Sequence, residues 1–330
     1  MAGGSSKAVV FALVGNSFLT VLKFVAFAVS GSGAMLAEGV HSAADTGNQF
    51  LLFLGIKRSD RPADAMFHYG FGGERFLFAL LSAVGIFVLG CGVTMYHGVH
   101  MLLHPGEISG GWLIWVVLGI SFVVDGLVLR TAINEVNAQR GKHSFMEYLR
   151  QSSDPTIAAV LLEDGAACFG VLLAMGGIGL SIVTGSPIPD AIATLLIGAT
   201  MGAIAIWLGY KNRTLILGRS IPEPIQNGIV EFLREQPSIE SVHDVKSRII
   251  GAGTFKLKAE VDWNGRVLAA GLDEWADSQS ERFADESQRT AALHDFGEKM
   301  TEALGDEIDR IEAELRERFP ELHHLDLESD

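Results

Sequence analysis

His41 and Asp45 stand four residues apart, as His-Ser-Ala-Ala-Asp, inside a stretch (35–56) that otherwise reads as a membrane-crossing helix. That spacing puts an imidazole and a carboxylate on one helix face, one turn apart. Ionisable groups at membrane depth are costly and persist mainly where they line a pathway or meet a partner. Nitrogen and oxygen donors on one turn form half of a divalent-metal site. The alternative is an Asp buried against a neighbouring cation, with His41 packing beside it.

A second set of buried acids favours the metal. The segment 157–183 contains Glu163 and Asp164 among Leu161, Leu162, Ala166, Ala167 and Phe169, and no Lys or Arg within it to neutralise them. Adjacent helical residues diverge by about 100°, so one carboxylate can meet an ion while the other faces a neighbouring helix or water. His41, Asp45 and Asp164 give three ligands from two helices, with water or Glu163 as a labile fourth. Zinc accepts this mixture; manganese or iron stays open, manganese as second choice because carboxylates suit the harder ion.

The elements that must position these groups are legible in the hydropathy. The 330 residues are 48% hydrophobic and only 19% charged, which points to a polytopic α-helical membrane protein. Six apolar segments, 8–29, 35–56, 76–103, 112–133, 157–183 and 191–210, are each long enough to cross about 30 Å of hydrocarbon. They make residues 1–218 a six-helix transmembrane domain. Residues 219–330 hold 26 Asp and Glu against 13 Lys and Arg, so nearly all of the net charge of −14 lies there. A nucleic-acid partner is not expected of so acidic a chain.

Cations set the orientation. Lys57, Arg58, Arg61, Arg75, Arg140, Lys142, Arg150, Lys211, Arg213 and Arg219 fall on connections of one side, whereas 30–34, 105–111 and 184–189 carry none. Both termini and the acidic domain are therefore expected in the cytoplasm. Residues 1–7 leave no room for a cleavable targeting peptide, so the first helix is expected to stay. Cys91 and Cys168 lie in predicted spans without a CxxC pattern and read as packing residues.

With these residues in view, the chain resembles the cation diffusion facilitator family, proton-coupled exporters of zinc and related metals. Its members have six spans, a His-or-Asp-x-x-x-Asp pair in the second, a His-x-x-x-Asp pair in the fifth, and a cytoplasmic ferredoxin-like domain. His41 and Asp45 match the first pair; Asp164, with Gly170-Val171 following, matches the Asp of the second. The family's His falls on Val160. Tyr69-Gly70-Phe71, Tyr96-His97-Gly98-Val99, Leu161-Leu162-Glu163-Asp164, Leu217-Gly218-Arg219-Ser220-Ile221 and His243-Asp244-Val245-Lys246 are similar to the divergent zinc-transporter-nine branch, whose Leu-Leu-Glu-Asp also lacks that His. The resemblance implies zinc export in exchange for protons, with the metal between the second and fifth spans, no organic cofactor, and a homodimer in the bilayer. A bacterial inner membrane is expected, or an organellar one in a eukaryote.

Other polar residues carry two readings each. Lys23 and Asp125, in the first and fourth spans, are expected as a structural ion pair or, with Asp125 beside the metal, a proton relay. His97, His100 and His104 are spaced three and four apart, as interfacial anchors or as exit-side metal handlers. In the loop 60–75, Asp64 and His68 lie four apart, where relatives can hold a further metal; a solvated loop is the better expectation. In the acidic domain His243 matches a metal-binding position of some relatives, with Glu328 and Asp330 near the last strand, so a regulatory cytoplasmic site is weighed against ordinary surface residues.

That domain reads as helix, strand, strand, helix, strand. Ile225, Ile229, Phe232 and Leu233 form one apolar stripe after Pro222, strands run over 242–250 and 254–263, a second helix over 293–319 and a last strand over 324–328. The polar stretch 264–292 is an insertion, mobile or partly helical. No HExxH, nucleophile elbow or phosphate-cradling loop supports an intramembrane metalloenzyme. A metal sensor or assembly protein that binds without turnover is the further alternative, with Val160 in its favour.

Overall fold

The computed structural model describes residues 3–105, 111–140, 144–145, 148 and 155–329. The chain divides into two compact units, Met1–Leu217 and Gly218–Asp330. The first is helical: α1 (Gly3–Ser30), α2 (Gly33–Ser59), α3 (Gly73–Gly85), a π-helical segment (Ile86–Gly92), α4 (Val93–Leu103), α5 (Trp112–Gln139), α6 (Pro155–Thr184) and α7 (Ile188–Leu217). The segment expected as a third span is α3, the π segment and α4 run together, a single apolar stretch over Gly73–Leu103. The wider π turn sits mid-span, where such insertions often mark functional sites.

Among the described residues, five stretches are long and apolar enough to cross a membrane: Leu13–Ser30, Gly73–Leu103, Trp112–Ala138, Val160–Thr184 and Ile188–Leu217. The exception among the six expected segments is α2. Its 27 residues match the others in length, but Glu38, His41, Ser42, Asp45, Asn48 and Gln49 lower its average hydropathy. All six are buried. A helix this polar is tolerated because neighbours shield it: α1, α3, α6 and α7 all pack against α2.

The core around it consists of Ala26, Ala34, Met35, Ala37, Ile114, Leu118, Val171, Ala174, Ile178, Ile197 and Met201, contributed by α1, α2, α5, α6 and α7. Large exposed side chains such as Val29, Leu89, Val123, Val183 and Ile206 face outward, as lipid-facing positions require. Small residues allow the closest approach. A Cβ at Gly177 of α6 would meet the Ala193 Cβ at 2.4 Å and the Pro189 carbonyl at 3.1 Å.

The second unit contains α8 (Glu223–Arg234), β1 (Ile239–Gly251), β2 (Thr254–Trp263), three short helices α9 (Gly265–Ala270), α10 (Asp273–Ser278) and α11 (Ser280–Ala284), α12 (Arg289–Arg318) and β3 (Leu322–Ser329). Sheet order is β1-β2-β3, with β1 and β2 antiparallel and β2 and β3 parallel. Gly253, at φ +68°, makes the tight turn of the hairpin. Phe255, Leu257, Ala259, Val261, Leu325 and Leu327 alternate onto the buried face, with Ile229 and Leu233 of α8 and Ile311 and Leu315 of α12 also buried. The helix-strand-strand-helix-strand order is as expected.

The insertion is helical and folds back on α12. The Trp275 ring lies 6.4 Å from Phe283 and 6.2 Å from Phe296, and Arg282 pairs with Asp295 at 2.7 Å. Its polarity concealed this, since one Trp and two Phe carry the contact.

Candidate metal site

The site grows from the inward face of α2. Glu38, His41, Ser42, Asp45, Asn48 and Gln49 fall at intervals of three and four and share one stripe. The His41 Nε2 lies 3.1 Å from the Asp45 Oδ2, with no well-aligned hydrogen bond to either ring nitrogen among the described residues. Facing α2, α6 carries Glu163 and Asp164, both buried. Asn48 donates a short hydrogen bond to the Glu163 Oε2 and accepts one from the Ser82 hydroxyl of α3. Three helices are thereby tied through one amide. Asp164 has Asp45, Asp125 and His41 as its electrostatic neighbours.

Buried polar atoms normally find partners. Here the Glu38 Oε1, both His41 nitrogens, the Asp125 Oδ2, the Glu163 Oε1 and the Asp164 Oδ2 have no hydrogen-bond partner among the described residues. Carboxylate oxygens and an imidazole left so are the donor set a divalent cation completes. Among the described residues, however, no three His, Cys, Asp or Glu side chains converge closely enough to hold one ion. The α2 and α6 groups lie side by side without closing. Val160, one turn before Asp164, is half-buried and offers no donor.

Lys23 makes the expected pair with Asp125 and a closer one besides. The ammonium lies 3.8 Å from Asp125, but its close partners are Glu38 at 2.9 Å and the Ser42 hydroxyl at 2.8 Å. Glu38 was not expected. Its position three residues before His41 on the polar stripe was the available signal, obscured because it sits near the helix start. Asp190 was missed as well. From the first turn of α7 it accepts from the Ser32 hydroxyl and from the backbone N–H groups of Gly33 and Ala34.

The remaining candidates are dispersed. His97 is half-buried edge-on to Phe27, with ring centroids 6.3 Å apart, while the exposed His100 and His104 stack at 4.7 Å. Asp64 caps its own loop, accepting from the backbone N–H groups of Met66 and Phe67. Cys91 and Cys168 are free thiols.

In the second unit His243, Glu260 and Glu328 occupy one row across β1, β2 and β3. The outer two backbones are therefore roughly 10 Å apart. His243 contacts Asp262 at 2.9 Å and Ser241 at 2.7 Å, and Glu328 pairs with Lys258 at 2.7 Å. Hydrogen bonds from Ser241 and then His243 hold the Asp262 carboxyl below its usual range, and the Glu328 bond raises the Lys258 ammonium. These contacts turn His243 and Glu328 toward different partners rather than one ion. Asp330 lies outside the described residues.

A helical membrane unit with an ionisable stripe in its interior, followed by a small α/β domain, defines a polytopic cation-handling protein. The cation efflux transmembrane domain family matches residues 9–217, and the chain belongs to that family, the cation diffusion facilitators. It is 40% identical over 333 residues to the human proton-coupled zinc antiporter SLC30A9, mitochondrial, covering 98% of this chain and 58% of that protein. It is 38% identical over 336 residues to metal tolerance protein C4 of Arabidopsis thaliana, covering 98% of this chain and 73% of that protein. The cation-efflux pump FieF of Shewanella oneidensis is 28% identical over 249 residues, 74% of this chain and 78% of the pump. The chain thus spans less than two thirds of its human relative.

Proposed function

We propose that the chain is a secondary active transporter, not an enzyme, which moves divalent metal, zinc first, across its membrane in exchange for protons. The observation that carries this reading is the set of buried ionisable groups on the facing helices α2 and α6: His41, Asp45 and Asp164, with Glu163 or water as the fourth position. The antiporter name of the human relative supports zinc and proton coupling. In this reading a bound ion draws α2 and α6 together. Their relative motion then exposes the site alternately to the two sides. His41 and the buried carboxylates take up protons as metal leaves. The acidic second unit faces the cytoplasm, raises the local cation concentration, and serves regulation and homodimer contact. The host membrane is a bacterial inner membrane, or an organellar one in a eukaryote.

The test is zinc flux into proteoliposomes under an imposed pH gradient, with Asp45→Ala and Asp164→Ala as controls, each checked for folding. Gradient-driven flux abolished in both variants is expected. Absence of movement of zinc, manganese or iron by the parent chain would overturn the transport reading. Val160 favours one second reading, a metal sensor that binds without turnover; zinc binding with no flux is its signature.

A further inference from the structure

Lys23 is wholly buried, and so is Glu38, its partner at 2.9 Å. The ammonium also donates to the Ser42 hydroxyl at 2.8 Å and lies 3.8 Å from the Asp125 Oδ2. Oxygens from α2 and α5 thus surround a cation supplied by α1. The enclosure is incomplete on one side: the Glu38 Oε1 has no hydrogen-bond partner among the described residues and points at α6, where a Cβ on Gly170 would come within 2.5 Å of it. Burying an ion pair costs desolvation that its attraction scarcely repays, so packing alone explains the arrangement poorly. Its place is informative. Glu38 precedes His41 by three residues on the same stripe, about 4.5 Å along the helix axis, on the α2 N-terminal side of the proposed metal residues.

We infer that Lys23 is a tethered competitor of the transported divalent ion, and that Glu38 is the carboxylate for which the two compete. This rests on the transport reading and assigns Glu38 to the ion's path as a second contact beyond His41, Asp45 and Asp164. In the empty protein the ammonium neutralises Glu38 and Asp125, so that departure of a doubly charged ion does not leave an uncompensated cluster of acids. An ion passing from His41 and Asp45 toward the start of α2 meets the free Glu38 Oε1 and displaces the ammonium from that carboxylate. The ammonium returns as the ion leaves. Lys23 thereby weakens retention of the ion and speeds its release. Gly170 is the residue that leaves room for this exchange.

The experiment measures zinc affinity by equilibrium dialysis and zinc flux in proteoliposomes for the full chain and for Lys23→Met, Glu38→Gln and the double variant, each first checked for folding. Lys23→Met is expected to bind zinc roughly tenfold more tightly and to transport it more slowly, whereas adding Lys23→Met to Glu38→Gln changes affinity less than twofold. The double variant removes both members of the pair, so it keeps the comparison available if Lys23→Met alone does not fold. An equal tightening in both backgrounds would overturn the inference in favour of a long-range field effect. Parent-like affinity and flux in the folded double variant would overturn it in favour of a purely structural pair. In either case parental zinc flux leaves the transport reading standing; a parent that moves no divalent metal removes both.

Discussion

Asp190 caps α2 through Ser32. Its Oδ2 accepts from the Ser32 hydroxyl at 3.0 Å and from the Gly33 N–H at 3.1 Å, while its Oδ1 accepts from the Ala34 N–H at 3.1 Å. A carboxylate from the first turn of α7 thus satisfies the open donors of the helix that carries His41 and Asp45. Its own N–H donates to the Ser181 hydroxyl of α6 at 3.0 Å. Three helices meet at one buried residue, and its side chain holds the α2 start, so Asp190→Ala strands several donors there at once. The expected loss is about 2 kcal/mol or more, read as a lower melting temperature in detergent. Asp190→Asn, which keeps an acceptor oxygen, should lose less. Equal melting of the alanine variant and the parent would show that water replaces the cap.

Two adjacent glycines of α6 should respond oppositely to the same substitution. A Cβ at Gly177 would meet the Ala193 Cβ at 2.4 Å and the Pro189 carbonyl at 3.1 Å, whereas one at Gly176 meets nothing within 4 Å. Gly177→Ala must separate α6 from α7 and is expected to cost about 1–3 kcal/mol. Gly176→Ala removes only helix-disfavouring backbone freedom and should be neutral or stabilising by up to about 1 kcal/mol. Thermal unfolding of the two variants side by side checks the pair, and a Gly177→Ala variant as stable as Gly176→Ala would refute the close packing.

The sequence made the large divisions visible because they are written in composition: apolar runs long enough to span a bilayer, then an acidic, amphipathic remainder. His41 and Asp45 were legible because a membrane helix gives ionisable residues nowhere ordinary to go, and the same logic found Lys23, Asp125, Glu163 and Asp164. It paired His41 with Asp45 and Lys23 with Asp125, which the structure shows, but missed the closest partner of Lys23. Lys23 sits closest to Glu38, not to Asp125, because α1 and α2 are antiparallel neighbours joined by a two-residue turn, and pairing across helices depends on rotation that hydropathy does not encode. Asp190 escaped notice because its partners are backbone groups, which have no sequence signature. The insertion was legible as mobile or partly helical, but its packing on α12 was not, because Trp275, Phe283 and Phe296 lie far enough apart in sequence that no periodic pattern links them.

In the second unit Glu307 of α12 should make stability depend on pH. It accepts from Arg310 at 2.7 Å and from the Ser238 hydroxyl at 2.5 Å, just before β1, and the same guanidinium reaches Gln236 at 2.9 Å. The Arg310 bond foremost, then the Ser238 bond, holds the Glu307 carboxyl below its ordinary range. A depressed carboxyl favours the folded state fully above its unfolded value, about 4.3, and that contribution fades as pH falls through the lower folded value. Hydrogen exchange of β1 amides in the full chain should therefore accelerate on acidification by more in the parent than in Glu307→Gln. At neutral pH the variant should be weaker by about 1 kcal/mol, a figure kept small because the pair is partly exposed. Identical pH profiles for the two proteins would remove this linkage.

Asn48 places Glu163, and with it the fourth position of the proposed site. Its amide donates to the Glu163 Oε2 while its carbonyl accepts from Ser82, so the carboxylate is fixed with the Oε1 unpartnered. If that oxygen completes the coordination of an ion held by His41, Asp45 and Asp164, Glu163→Gln leaves the shape of the ladder almost unchanged but removes an anionic donor. Zinc affinity is then expected to fall roughly tenfold, with melting of the zinc-free protein close to the parent. Asn48→Ala acts differently. It strands the Ser82 hydroxyl and the Glu163 Oε2, so it should destabilise the zinc-free protein by about 1–3 kcal/mol and weaken zinc binding through a misplaced carboxylate. Parent-like zinc affinity in Glu163→Gln, alongside a destabilised Asn48→Ala, would assign the ladder to helix packing alone and give the fourth position to water.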